Sequence, residues 1–515
     1  MKKLLIYDRF CNKKCNISKE QDLISFAEPN DTNITYSNDY EEISKNAYEF
    51  VEDLFRKNSI ELKIKDIKLN EAIKRDLLHV SGPILVMFAI INVVKYYHTI
   101  YDEILIFTYN DLLKTRLKNY DNVTIMYKKL PLKKRLGLGC YKNLLQKVLT
   151  KNRLLENINN KKYILFAQHR VTYNAINKNK EKYFIVLNRN NTERVRDFLD
   201  MLNEKNFAYG YYEGLKNKRV ISNIVISYIN NINKLGIESK YLKYLVKNLL
   251  ITALFNYFRL KEIIEITRLK RILISREYDG LSDILCQLSN KYIFKVENFQ
   301  HGGIYIGNMS YNKFYVLGQY FKDFYIQNTN SEKNQFELKK IAFKKYDLFQ
   351  KCSFIEGIDD IKNNYIIVSV FGQYICANMP HSLKKEFAIF LNNLLETNSN
   401  LFLLIKDHPD STDDIFKENI TNFRVNISKN DYNISSYFKY SELSISVYST
   451  ALIESVFNNV PILCYNKKEL INNNLIGKIF QKYTMFNIKD YNRLFKKKTD
   501  LLKEQKEIIK YYYNY

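Results

Sequence analysis

Two short motifs, Gln300-His301-Gly302-Gly303 and Lys406-Asp407-His408-Pro409, each place a histidine directly after an apolar run of strand type. An imidazole there could donate a hydrogen bond to a phosphate oxygen, because ligands of open α/β sheets bind outside the carboxyl ends of the strands. Pro409 biases His408 away from helix, and Lys406 adds a cation beside it. Gly302 and Gly303 permit either a close backbone approach to a ligand or a tight turn with positive φ. A third element, Tyr448-Ser449-Thr450-Ala451-Leu452-Ile453-Glu454, reads as strand end, hydroxyl-bearing turn and helix start. Unpaired N–H groups and the positive end of the helix dipole favour an anion there. Ser449 and Thr450 also suit plain helix capping, and the two roles can coexist. Glu454, one turn on, could accept hydrogen bonds from a ribose or be an ordinary exposed helix glutamate. In Arg276-Glu277-Tyr278-Asp279-Gly280, two carboxylates follow another strand, where one could take a proton from an acceptor hydroxyl. Asp279 could equally cap the helix that follows.

The elements that must position these residues alternate in type. Apolar runs at Lys3–Tyr7, Glu103–Thr108, Tyr163–Ala167, Tyr183–Leu187, Arg271–Ser275, Tyr292–Phe299 and Lys313–Leu317 read as strands. Helical patterns lie at Ile84–Tyr97, Thr192–Asn203, Tyr241–Ile266 and Leu281–Leu288. A second series runs from strand Tyr365–Phe371 through Leu401–Ile405, Phe423–Ile427 and Leu443–Val447 to Pro461–Tyr465, with helices at Ser382–Glu396, Asp431–Phe438 and Thr450–Phe457. Such alternation implies parallel pairing with crossover helices. The expected organisation is an α/β domain over 1–330, a polar connection over 331–362, a second α/β domain over 363–487, and a basic, aromatic helix over 488–515.

Composition narrows the function classes. With 515 residues, 46% of them hydrophobic, the chain is long enough for two or three folded domains. A formal net charge of +25 points to an anionic partner. The basic residues concentrate over Lys128–Arg153 and again at Arg493, Lys496, Lys497 and Lys498; these are either solvated faces or contacts to an anionic membrane leaflet. No zinc-finger spacing, RNA-binding aromatic motif or basic zipper is present, which disfavours nucleic acid. The seven cysteines are scattered, as in reduced, cytosolic proteins, and have no zinc spacing. The apolar run around Ile84–Ile91 is too short for a membrane span, and no signal peptide is apparent. The expected location is the cytoplasm, peripheral at the inner membrane face. Walker, Gly-X-Gly-X-X-Gly, Gly-X-Ser-X-Gly and His-Glu-X-X-His motifs are absent, so ATPase, dehydrogenase, hydrolase and zinc-protease readings lose ground.

Over roughly 270–466, the Asp-Gly turn, Gln-His-Gly, Lys-X-His-Pro and Ser-X-Tyr-Ser-Thr motifs resemble surface-polysaccharide transferases of the GT-B fold. These include the CMP-sialic acid and CMP-Kdo transferases and the CDP-glycerol glycerophosphotransferases. The resemblance implies two Rossmann-like domains facing each other across a cleft. It also implies a sugar moved from a nucleotide-sugar donor, preferentially CMP-linked, to a glycan acceptor, lipid-linked or polysaccharide, in capsule or lipooligosaccharide synthesis. His408, Lys406, Ser449 and Thr450 would contact the donor phosphate, and Asp279 or Glu277 would be the base. His301 would line the facing wall with Gly302 and Gly303. No Asp-X-Asp element occurs, so no metal or other cofactor is expected. Where the glycerophosphotransferases show Thr-Asp-Tyr-Ser-Ser, this chain has Ser446-Val447-Tyr448-Ser449-Thr450. The alternatives are a CDP-glycerol-type polyol-phosphate transferase and a nucleotide-sugar 2-epimerase.

Overall fold

The structure is a computed structural model. It describes residues 2–8, 21–26, 32, 34, 40–58, 60–78, 83–127, 163–166, 183–187, 208–211, 218–234, 236–266, 269–274, 280–300, 311–328, 337–340, 357–373, 381–408, 411, 413–428, 434–447, 449–466 and 479–513. Among these, three parallel sheets carry the fold, and each reverses its direction of winding part-way across.

The carboxyl-terminal sheet has the order β16-β15-β14-β17-β18-β19. Its strands are β14 (Ile366–Phe371), β15 (Leu401–Lys406), β16 (Val425–Ser428), β17 (Leu443–Ser446), β18 (Ile462–Tyr465) and β19 (Thr484–Met485). The chain winds outward from β14 to β16, then returns to β14's other side and winds outward again. β14, β15, β17 and β18 are buried almost throughout, as expected of parallel strands covered on both faces. Small polar side chains fill β17: Ser446 Oγ donates to the Phe371 carbonyl, and Ser444 Oγ accepts from Ser455 Oγ at 2.7 Å. Ser455 lies on the Ala451–Phe457 helix, which can therefore pack close to the strand.

The seven-stranded sheet has the order β13-β12-β11-β10-β7-β8-β9. It comprises β7 (Tyr163–Phe166), β8 (Tyr183–Leu187), β9 (Ala208–Tyr211), β10 (Arg271–Ile274), β11 (Lys295–Phe299), β12 (Lys313–Val316) and β13 (Glu337–Lys340). Its winding reverses between β7 and β10. β13 pairs with β12, so the stretch 331–362, expected as a bare connection, supplies an edge strand to this sheet and ends in the Ile358–Asn364 helix. The Thr192–Asn203 helix of the sequence reading lies outside the described residues.

A third sheet, β2-β1-β5-β6, lies within the first 127 residues. It contains β1 (Lys3–Tyr7), β2 (Asp22–Ser25), β5 (Glu103–Thr108) and β6 (Val123–Tyr127); a small hairpin, β3 (Lys63–Ile64) with β4 (Ile67–Lys68), stands apart. Alternation along β1 sends Leu4 and Ile6 into the main core and Leu5 and Tyr7 to the opposite face, where Tyr7 stacks on Phe107.

The carboxyl-terminal segment forms two helices, Ile488–Phe495 and Lys498–Tyr512. Gln505, fully buried, accepts from the Ile462 N–H and donates to the Ile462 carbonyl, pinning the last helix to β18. The end of that helix lies against the Gln319–Asn328 helix, which follows the seven-stranded sheet's β12. There Tyr320 contacts Tyr511 and Tyr512, and Phe321 contacts Tyr513. A Cβ on Gly318 would meet the Tyr512 carbonyl oxygen at 2.0 Å. Much of the aromatic surface expected to face a membrane is thus used to join two sheets. Arg493 and Lys498 of the basic cluster pair with Asp490 and Glu442.

Candidate functional site

The order reversal of the six-stranded sheet falls between β14 and β17, the position where open α/β sheets bind ligands. Lys406 and Ser446 both lie level with Phe371, the last residue of β14. Lys406-Asp407-His408 therefore leaves the sheet on one side of β14, and Ser446-Val447-Tyr448-Ser449-Thr450 leaves it on the other. With β14 between them, the two exits stand about 10 Å apart, twice the usual strand spacing. His408 and Ser449 are partly exposed at this edge and Thr450 is exposed.

The turn after β15 is held by a buried ion cluster that sequence reasoning missed. Lys384, on the His381–Thr397 helix, is fully buried. Its Nζ donates to both Asp407 oxygens at 3.0 and 2.9 Å, to Ser411 Oγ at 2.7 Å and to Asp413, whose Oδ1 lies 2.9 Å away. Asp407 Oδ1 also accepts the N–H of His408 at 2.9 Å, and the His408 carbonyl accepts the N–H of Ser411 at 2.8 Å. Burial would raise the Asp413 carboxyl, but hydrogen bonds from Lys384 and Ser411, with the lysine's charge and the Ile415 N–H, outweigh it and hold the group below its ordinary range. Gly372 leaves room for this cluster: a Cβ there would lie 2.4 Å from Asp407 Oδ1 and 2.7 Å from the Phe416 ring. Asp407 thus anchors the motif, leaving Lys406 and His408 at its exposed rim. Lys406 Nζ lies 5.8 Å from the centre of the Tyr437 ring.

At the second exit, Ser449 Oγ accepts the Ala451 N–H at 3.2 Å, a local turn contact. The Thr450 side chain makes no capping bond to the helix it precedes. Glu454 is partly exposed on that helix. The structure thus brings His408, Lys406, Ser449 and Thr450 to one sheet edge.

Glu277, Asp279, His301, Gly302 and Gly303 lie outside the described residues. The strands leading into them are described: Glu277 and Asp279 follow β10, which borders the winding reversal of the seven-stranded sheet, and His301 follows its neighbour β11. Gln300, which precedes His301, is buried and structural; its Oε1 accepts the Leu317 N–H at 3.0 Å. Gly280 is helical rather than part of a turn: the helix Gly280–Tyr292 starts on it, and a Cβ there would meet the Ala72 carbonyl oxygen at 2.5 Å.

Two cavities lie away from these strand edges. One of about 340 Å³ is lined by Glu42, Asn46, Phe88, Asn92, Lys95 and Arg116. Among the described residues no cluster of His, Cys, Asp or Glu is arranged to hold a metal ion. No described helix is long and apolar enough to cross a membrane. Burial pushes the Cys464 thiol up to about 12.

No protein-family model matches the chain, and no curated protein matches its sequence. Among solved structures, the chain is similar to a protein described as a UDP-N-acetylglucosamine 2-epimerase from Listeria monocytogenes (11% identity, TM-score 0.41, covering 69% of this chain and 92% of that one). It is also similar to a glycosyltransferase from Rickettsia africae (14%, 0.40, 69% and 95%) and to Anabaena HepE in complex with UDP-glucose (8%, 0.39, 68% and 95%). The strand orders, rather than these likenesses, establish the fold as α/β with parallel, doubly wound sheets.

Proposed function

We propose that the chain is a metal-independent GT-B glycosyltransferase. It transfers a sugar from a nucleotide-sugar donor, cytidine-linked by preference, to a glycan hydroxyl on a lipid-linked or polysaccharide acceptor in capsule or lipooligosaccharide synthesis. The supporting observation is that the His408 and Ser449/Thr450 exits flank β14 at the winding reversal. In this reading the donor phosphates sit over the end of β14. His408 and Lys406 contact them from one side, and Ser449 and Thr450 from the other. Glu454 accepts from the ribose. These preorganised donors stabilise the charge that develops on the leaving nucleotide, the term that dominates in many enzymes. Asp279 or Glu277 takes the acceptor proton from the opposite wall, with His301, Gly302 and Gly303 beside it. The remaining exposed basic residues, Lys496 and Lys497 among them, draw the enzyme to the anionic inner leaflet.

Thermal denaturation with CMP, CDP, UDP and GDP tests the donor site. A nucleotide at a hundred times its Kd adds about 2.7 kcal/mol of stability, and CMP or CDP should act most strongly. If no nucleotide stabilises the protein, the reading fails. Labelled CMP-sugar against CDP-glycerol then separates glycosyl from polyol-phosphate transfer, and conversion of UDP-N-acetylhexosamine alone would indicate an epimerase. Asp279→Asn should lower turnover far more than donor affinity; a fall in donor affinity instead would remove Asp279 from the role of base.

A further inference from the structure

The cavity of about 340 Å³ stands between two packed helices of the amino-terminal unit, Tyr40–Lys57 and Pro83–Tyr97, with the end of the Asp111–Arg116 helix at its side. Glu42 and Asn46 lie one turn apart on the first helix, and Phe88, Asn92 and Lys95 recur at the same spacing on the second, so two stripes face each other. At one end Lys95 Nζ lies 3.6 Å from Glu42 Oε1. At the other, Phe50 and Phe88 meet edge to face with ring centres 6.0 Å apart. Arg116 lies over both rings, its guanidinium carbon 4.8 Å from the centre of Phe50 and 5.1 Å from that of Phe88.

Arg116 is the informative member. Its guanidinium carries five N–H donors, and among the described residues it has ring contacts but no hydrogen bond or ion pair. Burial against the rings lowers its pKa, and a cation partly removed from water favours a counter-ion at its edge. Asn46 likewise makes no side-chain hydrogen bond to a described residue. Arg116 also reaches the surface, so a ligand has a way in past it. Lys95 answers Glu42, which leaves the lining with the single positive charge of Arg116. That balance suits one negative charge and disfavours a di- or triphosphate. Ile43, Phe88 and Ile91 supply an apolar wall. The volume lies at the small end of ligand pockets, which run from about 300 to 1,000 Å³, so the body held there is about one ring in size.

We propose that this cavity is a second ligand site, separate from the six-stranded sheet edge, and that it takes a ring-bearing monocarboxylate. Arg116 grips the carboxylate with two parallel N–H bonds, the geometry in which its planar fork matches two oxygens. The ring lies against Ile43, Phe88 and Ile91, and the Asn46 amide meets a hydroxyl or carbonyl on it. The body is that of an aromatic acid or of a sugar acid. The site does not depend on the glycosyltransferase reading, and its test uses no nucleotide.

The test titrates the full chain with benzoate, glucuronate, benzamide and inorganic phosphate, read by calorimetry and by the methyl resonances of Ile43 and Ile91. At least one of the two acids should bind and move both methyl resonances; the tighter of them identifies the body as aromatic or sugar. Benzamide, which has the ring of benzoate without its charge, should bind at least about tenfold more weakly than benzoate where benzoate is the ligand. Arg116→Gln should weaken binding of the acid by about tenfold or more, and Arg116→Lys, which keeps the charge but not the fork, by about threefold or more. Asn46→Phe, which fills the cavity, should abolish binding with Arg116 still in place. The proposal is overturned if neither acid binds at about 10 mM, if binding leaves the two methyl resonances unmoved, or if it survives Arg116→Gln. It is also overturned if phosphate binds as tightly as the acids, since the site would then select charge alone. The comparisons of ligands on the wild-type chain decide the matter even where a variant does not fold.

Discussion

Replacing Lys384 with Met tests the construction of the donor edge. The ammonium is fully buried and answers two carboxylates, Asp407 and Asp413, whose side chains are 3% and 11% exposed. Methionine has similar length and no charge, so the substitution leaves packing nearly intact and strands both carboxylates. Removing one partner of a buried pair costs about 3–5 kcal/mol, and the repulsion now unshielded between Asp407 and Asp413 places the expected loss at the upper end. A domain of this size moves about 2–4 °C per kcal/mol. The transition of the six-stranded unit should therefore fall by roughly 10–20 °C. Calorimetry is the appropriate assay, because a chain with three sheets need not melt in one step. A second substitution, Asp407→Asn, should recover part of the loss by removing one orphaned charge, a coupling that a double-mutant cycle reads directly. The same change loosens the acceptor that holds the His408 N–H, so nucleotide stabilisation should weaken even below the melting range. A Lys384→Met protein that melts within 2 °C of wild type would refute the reasoning, since the lysine would then not be the cluster's counter-charge.

Other expectations follow from the same geometry. His408→Ala should abolish transfer with no change in melting temperature beyond about 2 °C, since surface changes usually stay within about 0.5 kcal/mol; retained turnover would remove the phosphate role. Gly372→Ala should cost about 1–3 kcal/mol of overpacking, because its methyl group would lie 2.4 Å from Asp407 Oδ1, and a neutral result in denaturant titration would contradict that contact. Gly318→Ala should detach the last helix from the Gln319–Asn328 helix, read as faster proteolysis after 497 with the six-stranded unit still folded. The lowered Asp413 carboxyl sets a pH dependence. Its folded pKa lies below the unfolded value near 3.9, so its stabilisation is complete well above that value and is lost as pH falls through the folded pKa. The melting-temperature gap between wild type and Asp413→Asn should accordingly shrink below about pH 4 and stay constant from pH 6 to 7.

Strands buried on both faces were legible because an unbroken apolar run has few other uses: Leu401–Lys406 and Ile366–Phe371 were found nearly to the residue. Glu337–Lys340 was not, because an edge strand reading Glu-Leu-Lys-Lys needs no apolar alternation. The amino-terminal sheet was read only in part, because Asp22–Ser25 is too short to show a period. At the site, the exits carrying His408 and Ser449 could be placed from the order of elements, but their proximity depended on which strand stood beside which. Only the return from β16 to the far side of β14 brings them together.

The residues that hold the structure in register were missed for one shared reason. Lys384 reads as a solvated helix lysine next to Lys385, which is exposed. Yet it lies three, four and seven residues before Phe387, Ala388 and Leu391, all fully buried, and so falls on the apolar stripe. Gln505 stands between Leu501 and Ile509 on a stripe of the same kind, and Arg75 follows Ala72 by three residues. A polar side chain on the buried stripe of an amphipathic helix carries a desolvation cost and must find partners elsewhere in the fold. Lys384 finds Asp407, Gln505 finds the Ile462 backbone, and Arg75 finds Asp283. In each case the partner lies far along the chain and on a different element. These three misfits on apolar faces therefore mark the joints of the molecule: the sheet edge, the last helix and the contact between the two amino-terminal sheets.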